Sequence, residues 1–332
     1  MKKPRISVCC VTTRPGGIDV LLAGLKNQEF DRSDFEVILV DAHFHRRREI
    51  VADYFAQAQI TLRHVPPRLQ NFPLDSVPQY RNTAIAKASG ELLVWLVDYS
   101  YVPKAGLKTH WDVYEQHGKE VAGMGAHRYV LPPPLVFDLP WYAPMAMFPP
   151  NAQTGVTYGY DRKASDAYAD DILAGRYDSC MYSIFTDPLE KHDSIESLKD
   201  DPYFFHADPK LTGHVHGKMF GSFFHAKNES VPLDWAIRVN GFDEAYIAHS
   251  YDDVDFGVRV EHLGGMWSLL GPEAHVQIVN PRHIFPHGVR QVEDPNFQRS
   301  LYETRKDDTT IVRSLHPSYD VAEMRQMGTW WY

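Results

Sequence analysis

Four apolar runs, separated by segments of helical period and ending at polar residues, predict an α/β protein with a mostly parallel sheet flanked by helices. The chain has 332 residues, 44% of them hydrophobic and 23% charged, which suits one compact unit with a sizeable core. Mean hydropathy is −0.38, and no apolar run reaches the ~20 residues that a membrane-spanning helix needs.

Residues 6–11 form the first run, β-branched and apolar, bounded by a turn at Pro15-Gly16-Gly17 as a buried parallel strand would be. The Lys and Arg ahead of it give the N-terminus a signal-like look, but Thr12-Thr13-Arg14-Pro15 interrupts the apolar stretch, so a strand is expected there. Ile18, Leu21, Leu22 and Leu25 then recur on one helical face. Residues 36–40 (EVILV) read as a second buried strand ending at Asp41. Val51, Tyr54, Phe55 and Ala58 mark a second helix, residues 60–65 a third strand and residues 81–89 a third helix. Residues 91–97 (ELLVWLV) are the most hydrophobic strand and end at Asp98. Strands joined by helices imply right-handed crossovers, and such sheets take ligands at their carboxyl ends, where Thr12, Asp41 and Asp98 fall. Each Asp alone is equally well read as an ordinary loop or capping carboxylate.

From about residue 124 to 231 the period weakens, and Pro, Tyr, Phe, His and Asp dominate. Ordered loops over the scaffold are expected, with a small second subdomain as the alternative. The expected organisation is therefore an α/β half over 1–123, a loop-rich, aromatic and proline-rich insertion over 124–230 and a final segment over 231–332, packed as one unit. Asp and Glu number 43 against 34 Lys and Arg, so the net charge of −9 argues against broad wrapping of nucleic acid. Three cysteines with no zinc or disulfide spacing fit a reducing, cytoplasmic setting.

The densest chemical signal is Asn240-Gly241-Phe242-Asp243-Glu244 followed by Tyr251-Asp252-Asp253-Val254-Asp255. Three carboxylates then lie within one turn of an expected helix start. Val254, Val258 and Leu263 are its expected apolar stripe, and Asp255 and Arg259 are spaced to pair at i and i+4. Capping explains one or two such residues but not three, because close like charges raise each other's proton affinity unless a partner relieves them. Such clusters are candidate general bases.

The order of these segments resembles the glycosyltransferases of GT-A fold, closest to the inverting family 2, with a C-terminal part similar to the galactosyltransferase catalytic region. The resemblance rests on residues 6–13, EVILVD over 36–41, Arg81-Asn82 leading through Ala88-Ser89-Gly90-Glu91 to Asp98, and the two acidic segments. It implies a Rossmann-like GT-A sheet and transfer of a sugar from a nucleotide-diphosphate sugar, such as a UDP-sugar, to a hydroxyl of a glycan or other acceptor. Asp253 would be the general base and Asp252 its acidic neighbour, with Asp255 and Arg259 in support. Thr12, Asp41, Arg81, Asp98 and Ser100 would line the donor site, while Asn82 is expected to be structural. Asp98 corresponds to the first acid of the family's Asp-X-Asp motif, but Ser100 replaces the second, which weakens the case for the Mn or Mg ion that the motif holds.

His283 matches a segment that supplies a further metal ligand in some relatives of this fold; His287, and the pair His214 and His216, are weaker metal candidates. His43-Phe44-His45-Arg46-Arg47-Arg48 is a basic run at a helix start, which an anionic partner would stabilise. Trp235 is a candidate platform for an acceptor sugar, with core packing as the alternative. Trp330, Trp331 and Tyr332 are expected to dock on this molecule or a partner. Two rival functions stay open: a glycan- or sugar-nucleotide-binding protein without turnover, and a transferase acting on hydroxymethylated bases of nucleic acid.

Overall fold

The computed structural model describes residues 2–12, 18–42, 44–68, 77–130, 200–206, 215–216, 221–244, 246 and 252–279. In chain order the elements are β1 (Ile6–Thr12), α1 (Ile18–Lys26), β2 (Phe35–Asp41), α2 (Phe44–Gln57), β3 (Thr61–Val65), α3 (Val77–Lys87), β4 (Leu92–Val97), β5 (Ser100–Tyr101) and α4 (Gly106–Gln116). They continue as β6 (Val121–Met124), β7 (His127–Val130), β8 (Asp200–His206), β9 (Val215–His216), β10 (Asn228–Pro232), α5 (Leu233–Arg238), α6 (Asp252–His262), β11 (Met266–Leu269) and β12 (Val276–Val279).

An eight-stranded sheet has the order β3-β2-β1-β4-β10-β6-β11-β9. β3, β2, β1 and β4 are parallel, β10 opposes both β4 and β6, and β11 is parallel to β6. The α/β, mostly parallel architecture expected from the apolar runs is thus present. β10 enters it between β4 and β6. A second sheet, β5-β12-β7-β8, lies beyond the end of β4.

Alternation along the strands sends neighbouring residues to opposite layers. Val8, Cys10, Val37, Leu39, Val94 and Leu96 pack with α1, α2 and α4 residues such as Leu21, Phe55 and Trp111. Cys9, Ile38, Leu93 and Trp95 pack on the other side with Ala84, Phe242, Phe256 and Val260.

Three helices differ from the sequence pattern in ways that matter for the site. In α2 Tyr54 is exposed, leaving Val51, Phe55 and Ala58 as the buried face. α3 begins four residues earlier than expected, with Pro78 in its first turn, where a missing N–H costs nothing. It is buried from Pro78 through Ile85, so it shows no amphipathic stripe. On α6 the buried face is Asp252, Asp255, Phe256, Arg259 and Val260, whereas Val254 and Val258 are half-buried. Charged residues occupy the inward positions because each has an internal partner, and only Leu263 of the expected stripe packs on the core.

Candidate active site

At the carboxyl end of β1 and β4, the Thr12 hydroxyl donates to Asp98 Oδ2 at 2.7 Å, and both side chains are buried. Parallel pairing with a common register brings these two strand ends together. Tyr99 follows with φ 61°, a left-handed conformation that is strained for a bulky residue and concentrates at functional sites. Ser100 is fully buried in β5, opposite Ile278 of β12, and its Oγ has no hydrogen-bond partner among the described residues.

Asp41 lies at the adjacent end of β2, but its carboxylate is closed off. Arg47 donates to both its oxygens, at 2.7 and 2.6 Å, and His64 Nε2 lies 2.8 Å away. Neither Asp41 nor Arg47 has an exposed side chain. Although burial opposes ionisation, Arg47 and His64 hold the Asp41 carboxyl well below the usual carboxylate range. Asp41 is thus an anionic partner for Arg47 of the basic run, and its carboxylate, expected at the donor, is engaged in an internal ion pair.

The acidic cluster forms at the start of α6. Arg81 Nη1 donates to Asp252 Oδ2 at 2.5 Å, and Arg81 Nη2 is 3.9 Å from Asp253 Oδ2. Asp252 is 2% exposed in its side chain against 13% for Asp253, whose Oδ1 accepts the Val254 amide at 2.9 Å. Burial, together with the neighbouring Asp253, pushes Asp252 up to about 7 in spite of Arg81. Arg81, expected beside the donor, is thus engaged by the carboxylates.

The turn between α5 and α6 is fastened to this cluster from both sides. Asn240 and Gly241 have φ 61° and 64°, the left-handed pair that an Asn-Gly turn accommodates with little strain. Asn82 donates to Phe242 O at 2.8 Å and Glu244 Oε1 at 3.0 Å, and accepts from Phe242 N at 2.7 Å, which gives it the structural role expected. Arg68, just beyond β3, pairs with Glu244, whose carboxyl burial pushes upward. Arg259 binds Asp255 at 2.8 Å, the pairing their spacing predicts, and also donates to Val239 O and Gly241 O at 2.5 and 2.7 Å. Phe242 stacks on Phe256 with centroids 4.2 Å apart and meets Trp95 of β4 edge-on at 5.3 Å. Phe242 and Glu244 belong to the acidic signal read from the sequence, whereas Arg68 carries no sequence signal that points to the site.

Trp235 is placed elsewhere. β10 runs against β4 so that Pro232 pairs with Leu92, and α5 starts at the end of the sheet opposite Asp98. Trp235 packs on the core and beside Gly265, past the C-terminus of α6 and ~16 Å of helix away from Asp252. Core packing therefore replaces the acceptor-platform role. His283, His287, His214, His43, Trp330, Trp331 and Tyr332 lie outside the described residues. A cavity of about 610 Å³ is lined by Phe44, Arg48, Phe55, Leu62 and His64, and contains none of the expected catalytic residues.

The fit of a divalent cation is decided by its donor set. Asp98 offers one carboxylate, Ser100 replaces the second, and no three His, Cys, Asp or Glu side chains come together among the described residues. Of the motif's two positions, Asp98 alone could ligate such an ion by a carboxylate. Among the described residues, too, no helix is long and apolar enough to cross a membrane.

No family model matches the chain, and no curated protein matches it. Among solved structures, the 1–349 fragment of S. aureus TarS is similar at a TM-score of 0.47 and 17% identity, over 85% of this chain and 62% of that one. The same fragment in complex with UDP-GlcNAc gives 0.47 and 14%, over 83% and 58%. GalNAc-T7 with UDP, GalNAc and Mn2+ gives 0.49 and 11%, over 98% and 53%. This chain spans less than two thirds of the length of each.

Proposed function

We propose that this chain is a GT-A glycosyltransferase that moves a sugar from a nucleotide-diphosphate sugar to an acceptor hydroxyl by a single inverting displacement, with Asp253 as general base. The observation that carries the reading is the asymmetry of the two adjacent carboxylates at the start of α6. Asp252 is enclosed and bound to Arg81, whereas Asp253 reaches the surface with one oxygen on the Val254 amide. A base must touch both protein and substrate, and Asp253 has that exposure.

In the proposed step Asp253 accepts the proton of the acceptor hydroxyl while that oxygen bonds to the anomeric carbon. The bond from this carbon to the diphosphate breaks, its electrons leave with the nucleoside diphosphate, and the configuration inverts. The Thr12–Asp98 corner at the strand ends is the proposed donor side, where open sheets of this kind take ligands. No step is routed through a metal. In the family an Mn or Mg ion neutralises the leaving diphosphate, and here Asp98 is the one motif carboxylate that could hold it.

Thermal shift against UDP-glucose, UDP-galactose, UDP-GlcNAc and UDP-GalNAc, followed by turnover of any stabilising donor, tests the reading. Asp253→Asn should abolish transfer while leaving the donor-induced stabilisation unchanged. Retained turnover in that variant removes Asp253 as the base.

A further inference from the structure

The geometry points to Arg81 as a positioning residue of the Asp252–Asp253 pair, one that fixes the orientation and charge of the two carboxylates instead of gripping the donor. This rests on the glycosyltransferase reading of the same site and reassigns one of its members.

The Arg81 guanidinium is enclosed. Its side chain is 7% exposed, one edge faces Asp252 at 2.5 Å and Asp253 at 3.9 Å, and its carbon lies 5.0 Å from the centroid of the Phe242 ring. Phe242 is itself held by the Phe256 stack and by the Asn82 clamp on its backbone. The cation is thus fixed by groups on α3, α6 and the intervening turn. A phosphate taking the Nη1 edge would have to displace Asp252, leaving a buried carboxylate without its partner, which is strongly unfavourable.

The surrounding charges single out this arginine. Arg81 from α3 meets the pair, and the neighbouring carboxylates of the turn and of α6 have cations of their own. Glu244 is matched by Arg68 and Asp255 by Arg259. Among the described residues, the cation within ion-pair distance of Asp252 and Asp253 is Arg81. Burial drives Asp252 toward its neutral form. Arg81 opposes that drive and favours the ionised form of Asp252.

Kinetics of UDP-GlcNAc hydrolysis by the full chain, with UDP affinity measured in parallel, tests the assignment. Arg81→Lys keeps the charge but loses the planar fork. It should keep UDP affinity within about threefold, lower kcat about tenfold or more and move the acid limb of kcat up by about one pH unit. Loss of UDP affinity by about tenfold, with kcat and the acid limb unchanged, overturns the assignment and returns Arg81 to the donor. Because Arg81→Gln strands a buried carboxylate and can unfold the chain, the double variant Arg81→Gln with Asp252→Asn is compared with Asp252→Asn alone. Positioning predicts that the second change adds less than about twofold to the loss of kcat, whereas a donor contact adds its full loss of UDP affinity. If UDP-GlcNAc is not turned over, the transferase reading fails for this donor, and carbon-13 carboxyl titration of Asp252 still decides the inference. An apparent midpoint about one pH unit higher in Arg81→Lys supports it, and an unchanged midpoint overturns it.

Discussion

Arg47 reaches back from the first turn of α2 to close a two-point ion pair on Asp41, at 2.6 and 2.7 Å, with neither side chain exposed. The pair joins the end of β2 to the start of the helix that follows it. His64 of β3 adds a third contact, so three consecutive elements meet on one carboxylate. Removing one partner of a buried pair leaves the other uncompensated, so Arg47→Gln should cost about 3–5 kcal/mol in urea unfolding. The folded carboxyl is depressed, so its stabilisation is complete above its unfolded value and fades as pH falls below about 4. If Asp41 instead bound the donor, Arg47→Gln would lower nucleotide affinity with little loss of stability.

His110 supplies a pH signature of opposite origin. It is buried between α4 and β10, with Nδ1 2.9 Å from the Ser230 hydroxyl and Nε2 3.2 Å from Asn228 Oδ1. The Asn228 amide nitrogen donates to Ala126 O and Ala274 O, which leaves Oδ1 to accept from His110 Nε2–H and the Ser230 hydroxyl to donate to Nδ1. The ring is thus satisfied when neutral, and burial lowers its pKa from 6.5 to about 4. The unfolded chain takes up the proton first, so this group makes stability rise between about pH 4 and 6.5 and level off above. Glu229, raised to about 7 by burial, and Asp252 act in the reverse sense between about pH 4.5 and 7. The His110 contribution is isolated by subtracting the unfolding free energy of His110→Gln from that of the native chain across this range. A difference that stays constant from pH 4 to 7 would contradict it.

Much of the frame was legible because buried parallel strands write themselves as apolar runs: β1, β2, β3 and β4 fall where EVILV and its counterparts stand, to within a residue or two. The helices were legible only where one face meets solvent. α1 shows its stripe, but α3 is enclosed, so the start at Val77 and the inward aim of Arg81 and Asn82 left no periodic trace. On α6 the same effect moved the expected stripe, since Asp252, Asp255 and Arg259 occupy positions that apolar residues usually take. The acidic cluster was visible as composition, whereas its cation was not, because Arg81 lies 171 positions away from Asp252. Trp235 was misplaced for a topological reason: nothing local indicates that β10 runs against β4.

The metal question has a direct outcome. Asp98 accepts from Thr12, and Ser100 is buried opposite β12, so the second position of the motif carries neither charge nor access. With one carboxylate, such an ion would depend on the donor's phosphates and on water for most of its ligands. Donor hydrolysis is expected to persist within about threefold in excess EDTA, since Ser100 removes one of the motif's two carboxylate ligands. Complete loss with EDTA, restored by Mn, would show that a metal is held by residues beyond this set.

Gly257 sits in the middle of α6, where helix propensity alone favours alanine by about 1 kcal/mol. The opposing effect is a backbone crossing. A Cβ at Gly257 would stand 2.1 Å from Gly221 O and 2.6 Å from Phe224 Cβ, and one at Gly221 would stand 2.3 Å from Gly257 O. Backbone atoms cannot turn aside as a side chain can, and the Gly221 amide is tied to Glu261 Oε1 at 2.5 Å on the same helix. Relief therefore requires α6 to move as a unit away from residues 221–224, carrying Asp252 and Asp253 with it. Overpacking of this kind costs about 1–3 kcal/mol or more, which exceeds the propensity gain. Gly257→Ala should accordingly lower the urea midpoint and reduce transfer by displacing the carboxylates. A variant that is more stable than the native chain would contradict this steric account of the crossing.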